Sequence, residues 1–218
     1  MANFAIDLAP LRKSRDFSLL WAAGLVSYFG SMITYVAVPF QIKELTGSYV
    51  AVAISGLVEI VPLVIFGLYG GVLADALDRK KLIWVTELLS LLFTAILLIN
   101  AMMDSPNLLL IYIVSGLFAA TSGLRQPAMQ AALPRLVDHE DMTAAAALMS
   151  LRWQIGVIVG PTIGGILISS YSVAVGYAAD IATFVISIAL IAFMKNIPPS
   201  HEAEAPSLSA LIDGVKYA

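Results

Sequence analysis

The sequence predicts an all-α polytopic membrane protein, and three observations support this fold class. Hydrophobic residues make up 60% of the 218 residues and charged residues only 12%, whereas a soluble domain has roughly a quarter charged residues. The apolar residues form six runs, each long enough for a helix that needs about 20 residues to cross a bilayer. No run alternates apolar and polar residues as strands do. We therefore expect a bundle of six transmembrane helices.

The first three spans are bounded by polar segments. Residues 1–16 precede the first span, predicted at 17–41, which the connector KELTGS follows. The second span, 49–74, ends before the charged segment DALDRKK. The third span, 82–103, ends at DSPN, a sequence of residues that favour turns. With the three later spans, residues 17–194 are expected to form one bundle.

The last three spans follow the same rule. The fourth, 108–133, ends at the polar connector PRLVDHEDM, and the fifth, 143–170, runs to a tight turn near Tyr171. The sixth, 173–194, leads into a polar linker at 195–218. The end of that linker, LSALIDGVKYA, has the pattern of a further helix that is just beginning.

Lysine and arginine set the expected orientation. If the spans alternate in direction, one side of the membrane carries a basic group made of Arg12, Lys13, Arg15, Arg79, Lys80, Lys81, Arg135, Lys195 and Lys216. The other side carries only Lys43. The positive-inside rule then places both termini in the cytoplasm.

Several function classes are not indicated. The chain has no cysteine, so it offers no disulfide, thiolate metal site or cysteine nucleophile. Its histidines, His139 and His201, lie in polar connectors, and no HExxH motif or carboxylate pair lies near one membrane face. There is no basic patch of the size that nucleic acid needs. We therefore expect neither an enzyme nor a cofactor or metal site.

A charged motif lies between the second and third spans. It has the pattern G-x-x-A-D-x-x-x-R-K and consists of Gly71, Ala74, Asp75, Arg79 and Lys80. Gly70 and Gly71 let another helix approach closely. Asp75 is expected to end its helix, and Arg79 lies four residues later, within reach of that carboxylate. The alternative is a solvated turn whose charges only fix the topology.

A glycine motif lies in the fifth span. The segment GVIVGPTIGG contains Gly156, Gly160, Pro161, Gly164 and Gly165. Three of the glycines recur every four residues and predict a smooth groove along one helix face. The proline leaves the carbonyl of Val157 without its helical donor, which permits a kink. Such a face suits a helix that slides or rocks against a partner, although ordinary glycine packing is the alternative.

Both motifs resemble signatures of the major facilitator superfamily. The first is similar to its loop signature between helices two and three, the second to the fifth-helix motif of its antiporters and exporters. The segments PLRKSRDFSLLW, VAVPFQIKELTGS, PAMQAALPRLV and DIATF extend the resemblance over nearly the whole chain. They are similar to the branch that includes enterobactin and macrolide exporters. Ala76 and Asp78 depart from the loop signature, where a basic residue and a glycine are usual.

The resemblance implies the N-terminal half of a transporter, built from two inverted three-helix units. It further implies proton-coupled export of a small amphipathic molecule, such as a siderophore or drug, across the bacterial inner membrane. The partners would be lipid, protons, the substrate and a C-terminal six-helix half that we expect to be absent from this chain. The alternative is a non-transporting half-length membrane protein, or a fragment that needs a partner half.

Two ionisable residues lie near the predicted membrane midplane. Glu59 is about ten residues into the second span, roughly 15 Å along a helix, and is the best candidate proton carrier. Arg152 lies at a similar depth of roughly 14 Å in the fifth span. It is expected either to bind an anionic substrate or to hold Glu59 ionised.

Three further charged residues lie in the later spans. Asp180 is expected to make a buried hydrogen bond between helices, and it stays a candidate proton or substrate residue. Arg125 lies at the predicted depth of Asp75, so either a salt bridge to Asp75 or a substrate contact is expected. Glu87, near the cytoplasmic end of the third span, is expected to reach the membrane interface.

Overall fold

A computed structural model describes residues 7–199, and it confirms the predicted fold class. A short helix, α1 (Ala9–Lys13), precedes six long ones, and the described residues contain no strand. All six long helices are long and apolar enough to cross a membrane. They are α2 (Arg15–Thr46), α3 (Tyr49–Ala76), α4 (Arg79–Ala101), α5 (Leu108–Leu136), α6 (Met142–Ser170) and α7 (Val173–Ala192).

Polar residues in the connectors begin most of these helices. In five helices, the side-chain oxygen of the residue before the helix accepts a hydrogen bond from a backbone N–H of the first turn. These N-cap residues are Ser14, Ser48, Asp78, Asn107 and Ser172. Asp78, one of the two departures from the loop signature, thus starts α4 and accepts from the amide of Lys81 at 3.1 Å. Such N-caps satisfy donors that have no partner inside the helix.

Three connectors are shorter than predicted, among them PRLVDHEDM, where α5 continues to Leu136 and α6 begins at Met142. KELTGS was expected to be a connector, but α2 continues to Thr46 and ends only at Gly47, whose φ of 66° lies in the left-handed region that glycine adopts without strain. DALDRKK was expected to be one as well, but α3 reaches Ala76 and α4 begins at Arg79. The predicted helix in LSALIDGVKYA lies outside the described residues.

The helix packing has an internal symmetry. Among the principal contacts, α2 packs on α6 and α7, α5 packs on α3 and α4, and α4 packs on α7. Exchanging α2 with α5, α3 with α6 and α4 with α7 leaves this set unchanged. An inverted repeat of two three-helix units has this property.

Glycines allow the closest helix approaches. A Cβ built on Gly70 of α3 would lie 2.9 Å from the Cα of Leu124 in α5. Gly71 has no atom of a neighbouring element within 4 Å, so the expectation that both glycines let a helix approach is wrong for Gly71 within the described residues. In α6, a Cβ on Gly160 would lie 2.9 Å from the carbonyl oxygen of Phe29 in α2.

Candidate functional site

A cavity of about 530 Å³ opens beside α2, α3 and α5. Its wall is mostly apolar and aromatic, with a few polar groups, which is typical of sites that bind small molecules. The wall residues that matter for its chemistry are Tyr28, Tyr35, Glu59, Phe118, Arg125 and Trp153. A second cavity of about 460 Å³ borders Arg152, and both cavities share the side chains of Tyr28, Gln126 and Trp153.

Glu59 is a carboxylate of α3 in the wall of the larger cavity. Its side chain is partly buried. Within residues 7–199 it forms neither a hydrogen bond nor an ion pair, and in particular no ion pair with Arg152. The structure therefore does not bring together the two residues for which the sequence suggested an ion pair.

Glu87 and Arg125 form a buried ion pair between α4 and α5. The Nη1 of Arg125 lies 2.7 Å from Oε1 of Glu87, and Ser27 of α2 donates to the same oxygen at 2.9 Å. Glu87 is only 1% exposed, so the expectation that it reaches the interface is wrong. The side of α4 that carries Glu87 faces α2 and α5, where an arginine and a hydroxyl compensate the buried carboxylate.

Arg125 is also not paired with Asp75, one of the two contacts expected for it. Asp75 is largely exposed and lies 4.0 Å from Nη2 of Arg79, the partner that the motif spacing predicts. The guanidinium of Arg79 turns mainly to the chain that leaves α7, donating to the carbonyl oxygen of Pro198 at 2.9 Å. The backbone N–H of Arg79 donates to Ile197 at 3.0 Å.

Lys80 and Ala74 complete the charged motif on the same side. The ammonium of Lys80 donates to the carbonyl oxygen of Ala192 at 3.2 Å and also to that of Met194. Ala74 is buried in an apolar cluster with Met194 and Ile197. The motif therefore holds the start of the segment after α7 against α3 and α4.

Arg152 lies buried among α2, α5 and α6. It is 7% exposed, and no carboxylate oxygen of a described residue lies within 4.0 Å of it. Its Nη1 is 3.8 Å from the thioether sulfur of Met129, and its Nε has no partner. A Cβ on Gly24 of α2 would overlap the guanidinium, so the absence of a side chain there makes room for this charge.

Asp180 of α7 lies in a pocket of hydroxyl groups. It is fully buried and accepts hydrogen bonds from Thr34 of α2, from Thr94 of α4 at 3.4 Å and from Thr183 at 3.3 Å. This confirms the expected buried hydrogen bond between helices. Gly30 of α2 makes the approach possible, since a Cβ there would overlap Thr183.

The fifth-span motif presents its glycines to α2. Built Cβ atoms on Gly156, Gly160 and Gly164 meet Tyr28, Met32 and Ile33 respectively. Gly165 has no atom of a neighbouring element within 4 Å, and Pro161 is partly exposed within α6. The groove predicted from the four-residue spacing is therefore occupied by α2.

A stripe of small and polar residues on α2 was not predicted from the sequence. The stripe consists of four buried residues, Gly24, Ser27, Ser31 and Thr34. Gly24 lies against Arg152, Ser27 donates to Glu87, and Thr34 donates to Asp180. Ser31 and Thr34 also line the larger cavity. The spacing of three or four residues within the stripe places its members on one helix face. That spacing of small polar residues inside an apolar run is the signal that could have identified the stripe.

Comparisons with known proteins identify the family to which this sequence is similar. A family model described as transmembrane secretion effector matches residues 5–218. The enterobactin exporter EntS of Shigella boydii serotype 18 is 31% identical over 219 residues, and the match covers 99% of this chain and 52% of the relative. Enterobactin exporters of Escherichia coli O1:K1 and O139:H28 match with the same identity and coverage. The chain thus spans about half the length of the curated relatives it matches.

Proposed function

Because this chain belongs to the transmembrane secretion effector family of the major facilitator superfamily, we propose that it forms the N-terminal half of an exporter. The exporter carries a small amphipathic molecule, such as a siderophore or drug, out of the cytoplasm in exchange for protons. A second six-helix half completes the central cavity. The chain lies in the bacterial inner membrane with both termini in the cytoplasm, as the basic residues favour.

The observation that carries this proposal is the position of Glu59. An ionisable group inside a membrane is costly unless it is paired or hydrated, and such groups mark ion and substrate pathways. Glu59 lines a cavity of about 530 Å³ and has no cationic partner within residues 7–199. It is therefore free to exchange a proton with water that enters the cavity.

Glu59 would couple proton entry to export. When the cavity is open to the outside, the carboxylate takes up a proton, and when it is open to the cytoplasm, it releases that proton. Substrate binds in the deprotonated, cytoplasm-open state and leaves in the other. The groove between α6 and α2, with Pro161 inside α6, is where the helices rearrange between the two states.

The test is pH-driven transport by the complete exporter, meaning this chain joined to its second half. Enterobactin serves as the probe, because the curated relatives are named for it. In everted membrane vesicles with an acidic lumen, the unmodified protein should accumulate enterobactin, and Glu59→Gln should reduce accumulation to background. Glu44→Gln, an exposed carboxylate of α2, is the matched control and should transport normally. Normal transport by Glu59→Gln would contradict the assigned proton-carrier role.

The second candidate function is a half-length membrane protein that acts with a separate partner half. The exposed apolar side of α3 carries Leu57, Ile60, Val61, Val64 and Leu68, and a separate partner half, a second half on the same chain or lipid would cover it equally well. The intact mass of the native membrane protein and the reading frame beyond Ala218 distinguish the two candidates. A product with twice as many spans supports a single-chain exporter, and a product of the present length supports the partner half.

A further inference from the structure

Arg152 is a buried cation that no described carboxylate compensates. Arg125 is compensated by Glu87 at 2.7 Å. Asp180 is held by hydroxyl groups rather than by a cation. Arg152 has no carboxylate within 4.0 Å among the described residues, although it is more than nine-tenths buried. An uncompensated guanidinium inside a membrane protein is costly unless it is hydrated or paired, and such charges mark substrate and ion pathways.

The donors of Arg152 are also mostly unused. A guanidinium carries five N–H donors, but its Nη1 has only the thioether of Met129 at 3.8 Å and its Nε has no partner. A thioether is a weak acceptor. A stronger acceptor can therefore reach the guanidinium from the cavity of about 460 Å³ that Arg152 borders.

The surroundings of this cavity suit an aromatic or apolar solute that carries one negative charge. The rings of Tyr28 and Trp153 line both this cavity and the larger one, so a bound molecule can extend from Arg152 toward the larger cavity. Gln126 and Gln154 add neutral polar groups to the wall of the smaller cavity. A guanidinium recognises planar carboxylates with two parallel hydrogen bonds.

We propose that Arg152 is an anion-binding subsite that favours acidic amphipathic molecules among the possible solutes of this transporter, with a carboxylate as the simplest probe of this preference. Gly24 is its positioning residue, because only a residue without a side chain leaves room for the guanidinium between α2 and α6. The proposal rests on the function proposed above. It ranks acidic amphipathic molecules above neutral ones and amphipathic cations last.

The test measures binding rather than transport, in the complete exporter purified in detergent. Three probes share one ring system and carry a negative, a neutral or a positive substituent: naphthoate, naphthamide and naphthylmethylammonium. Equilibrium dialysis should find naphthoate bound roughly tenfold more tightly than naphthamide, which is the range of one charge-assisted hydrogen-bonded contact. Naphthylmethylammonium should bind most weakly. Equal binding of the three probes would overturn the proposal.

Variants of Arg152 and Gly24 link this preference to the subsite. Arg152→Gln should lose the preference for naphthoate while keeping the affinity for naphthamide, and Arg152→Lys should keep part of the preference. Gly24→Ala should weaken naphthoate binding by displacing the guanidinium without removing its charge. Arg135→Gln removes an exposed arginine outside both cavities and should bind all three probes normally. An unchanged preference in Arg152→Gln would overturn the proposal, and if Arg152→Gln does not fold, Gly24→Ala decides it.

The outcome separates this proposal from the function on which it rests. If naphthoate binds through Arg152 but the complete protein moves no probe across vesicles, the exporter function fails and the anion subsite stands. If the protein exports naphthylmethylammonium as well as naphthoate, with no dependence on Arg152, the exporter function stands and the anion subsite fails.

Discussion

At the scale of single residues, the buried ion pair of Glu87 and Arg125 shows why some charges in this bundle were misassigned from the sequence. Glu87 lies near one end of its span, so its depth suggests an interfacial position. The helix face decides instead, because the carboxylate points to α2 and α5, where Ser27 and Arg125 contact it. Sequence alone gives depth by counting residues, but it does not give the rotation of a helix about its axis.

The pair predicts an asymmetry between single and double substitutions. Glu87→Leu leaves Arg125 buried without its partner and should lower the free energy of unfolding by about 3 kcal/mol. Glu87→Leu combined with Arg125→Met removes both charges and should recover most of that loss. Thermal unfolding of the purified protein in detergent measures the difference. Asp75→Asn is the control, because Asp75 is exposed and should change little. A double variant as unstable as Glu87→Leu would contradict this account.

At the scale of helices, the sequence allowed us to predict the type and length of each element. It allowed us to predict the contacts between helices only in part. Six long apolar runs leave helices as the structure that satisfies the backbone in lipid, and the spans match the observed helices within a few residues. The three glycines of α6 at four-residue spacing correctly predicted a shared face. The partner of that face, α2, was not predictable, because the spacing of glycines on one helix contains no information about its neighbour.

The glycine motif offers a matched pair of substitutions within one helix. Gly160→Ala places a methyl group against the backbone of Phe29 and should destabilise the α2–α6 contact by about 1–3 kcal/mol. Gly165→Ala places the same methyl group where no atom of a neighbouring element lies within 4 Å among the described residues, and it should be neutral. Thermal unfolding in detergent compares the two. Equal stability of both variants would show that the close approach at Gly160 does not hold α6 against α2.

The contact between Arg79 and the segment that follows α7 can also be tested. Arg79 donates from its backbone and its side chain to the carbonyl oxygens of Ile197 and Pro198. Arg79→Ala removes the side-chain contact and should increase amide hydrogen exchange in the segment 194–199. Lys81→Ala is the control, because the side chain of Lys81 is exposed and forms no hydrogen bond in the described part of the chain. Unchanged exchange in Arg79→Ala would mean that the apolar contacts of Met194 and Ile197 suffice.

At the scale of the whole molecule, the symmetry of the helix contacts relates the site to the fold. The symmetry relates α2 to α5, and these two helices contribute most residues to the wall of the larger cavity. Both also supply partners of the buried charges, through Gly24, Ser27 and Thr34 on α2 and Arg125 on α5. The first helices of the two three-helix units are α2 and α5, so the cavity and the buried charges lie where the two units meet.

The orientation of the molecule can be tested directly, because the chain contains no cysteine and each introduced one reports alone. Asp104 and Asp138 are exposed residues in connectors that alternate across the bundle. With the basic residues in the cytoplasm, a membrane-impermeant maleimide should label Asp104→Cys in intact bacterial spheroplasts. Asp138→Cys should be labelled only after permeabilisation. The reverse pattern would place the basic side outside, and the direction of transport proposed from it would then be wrong.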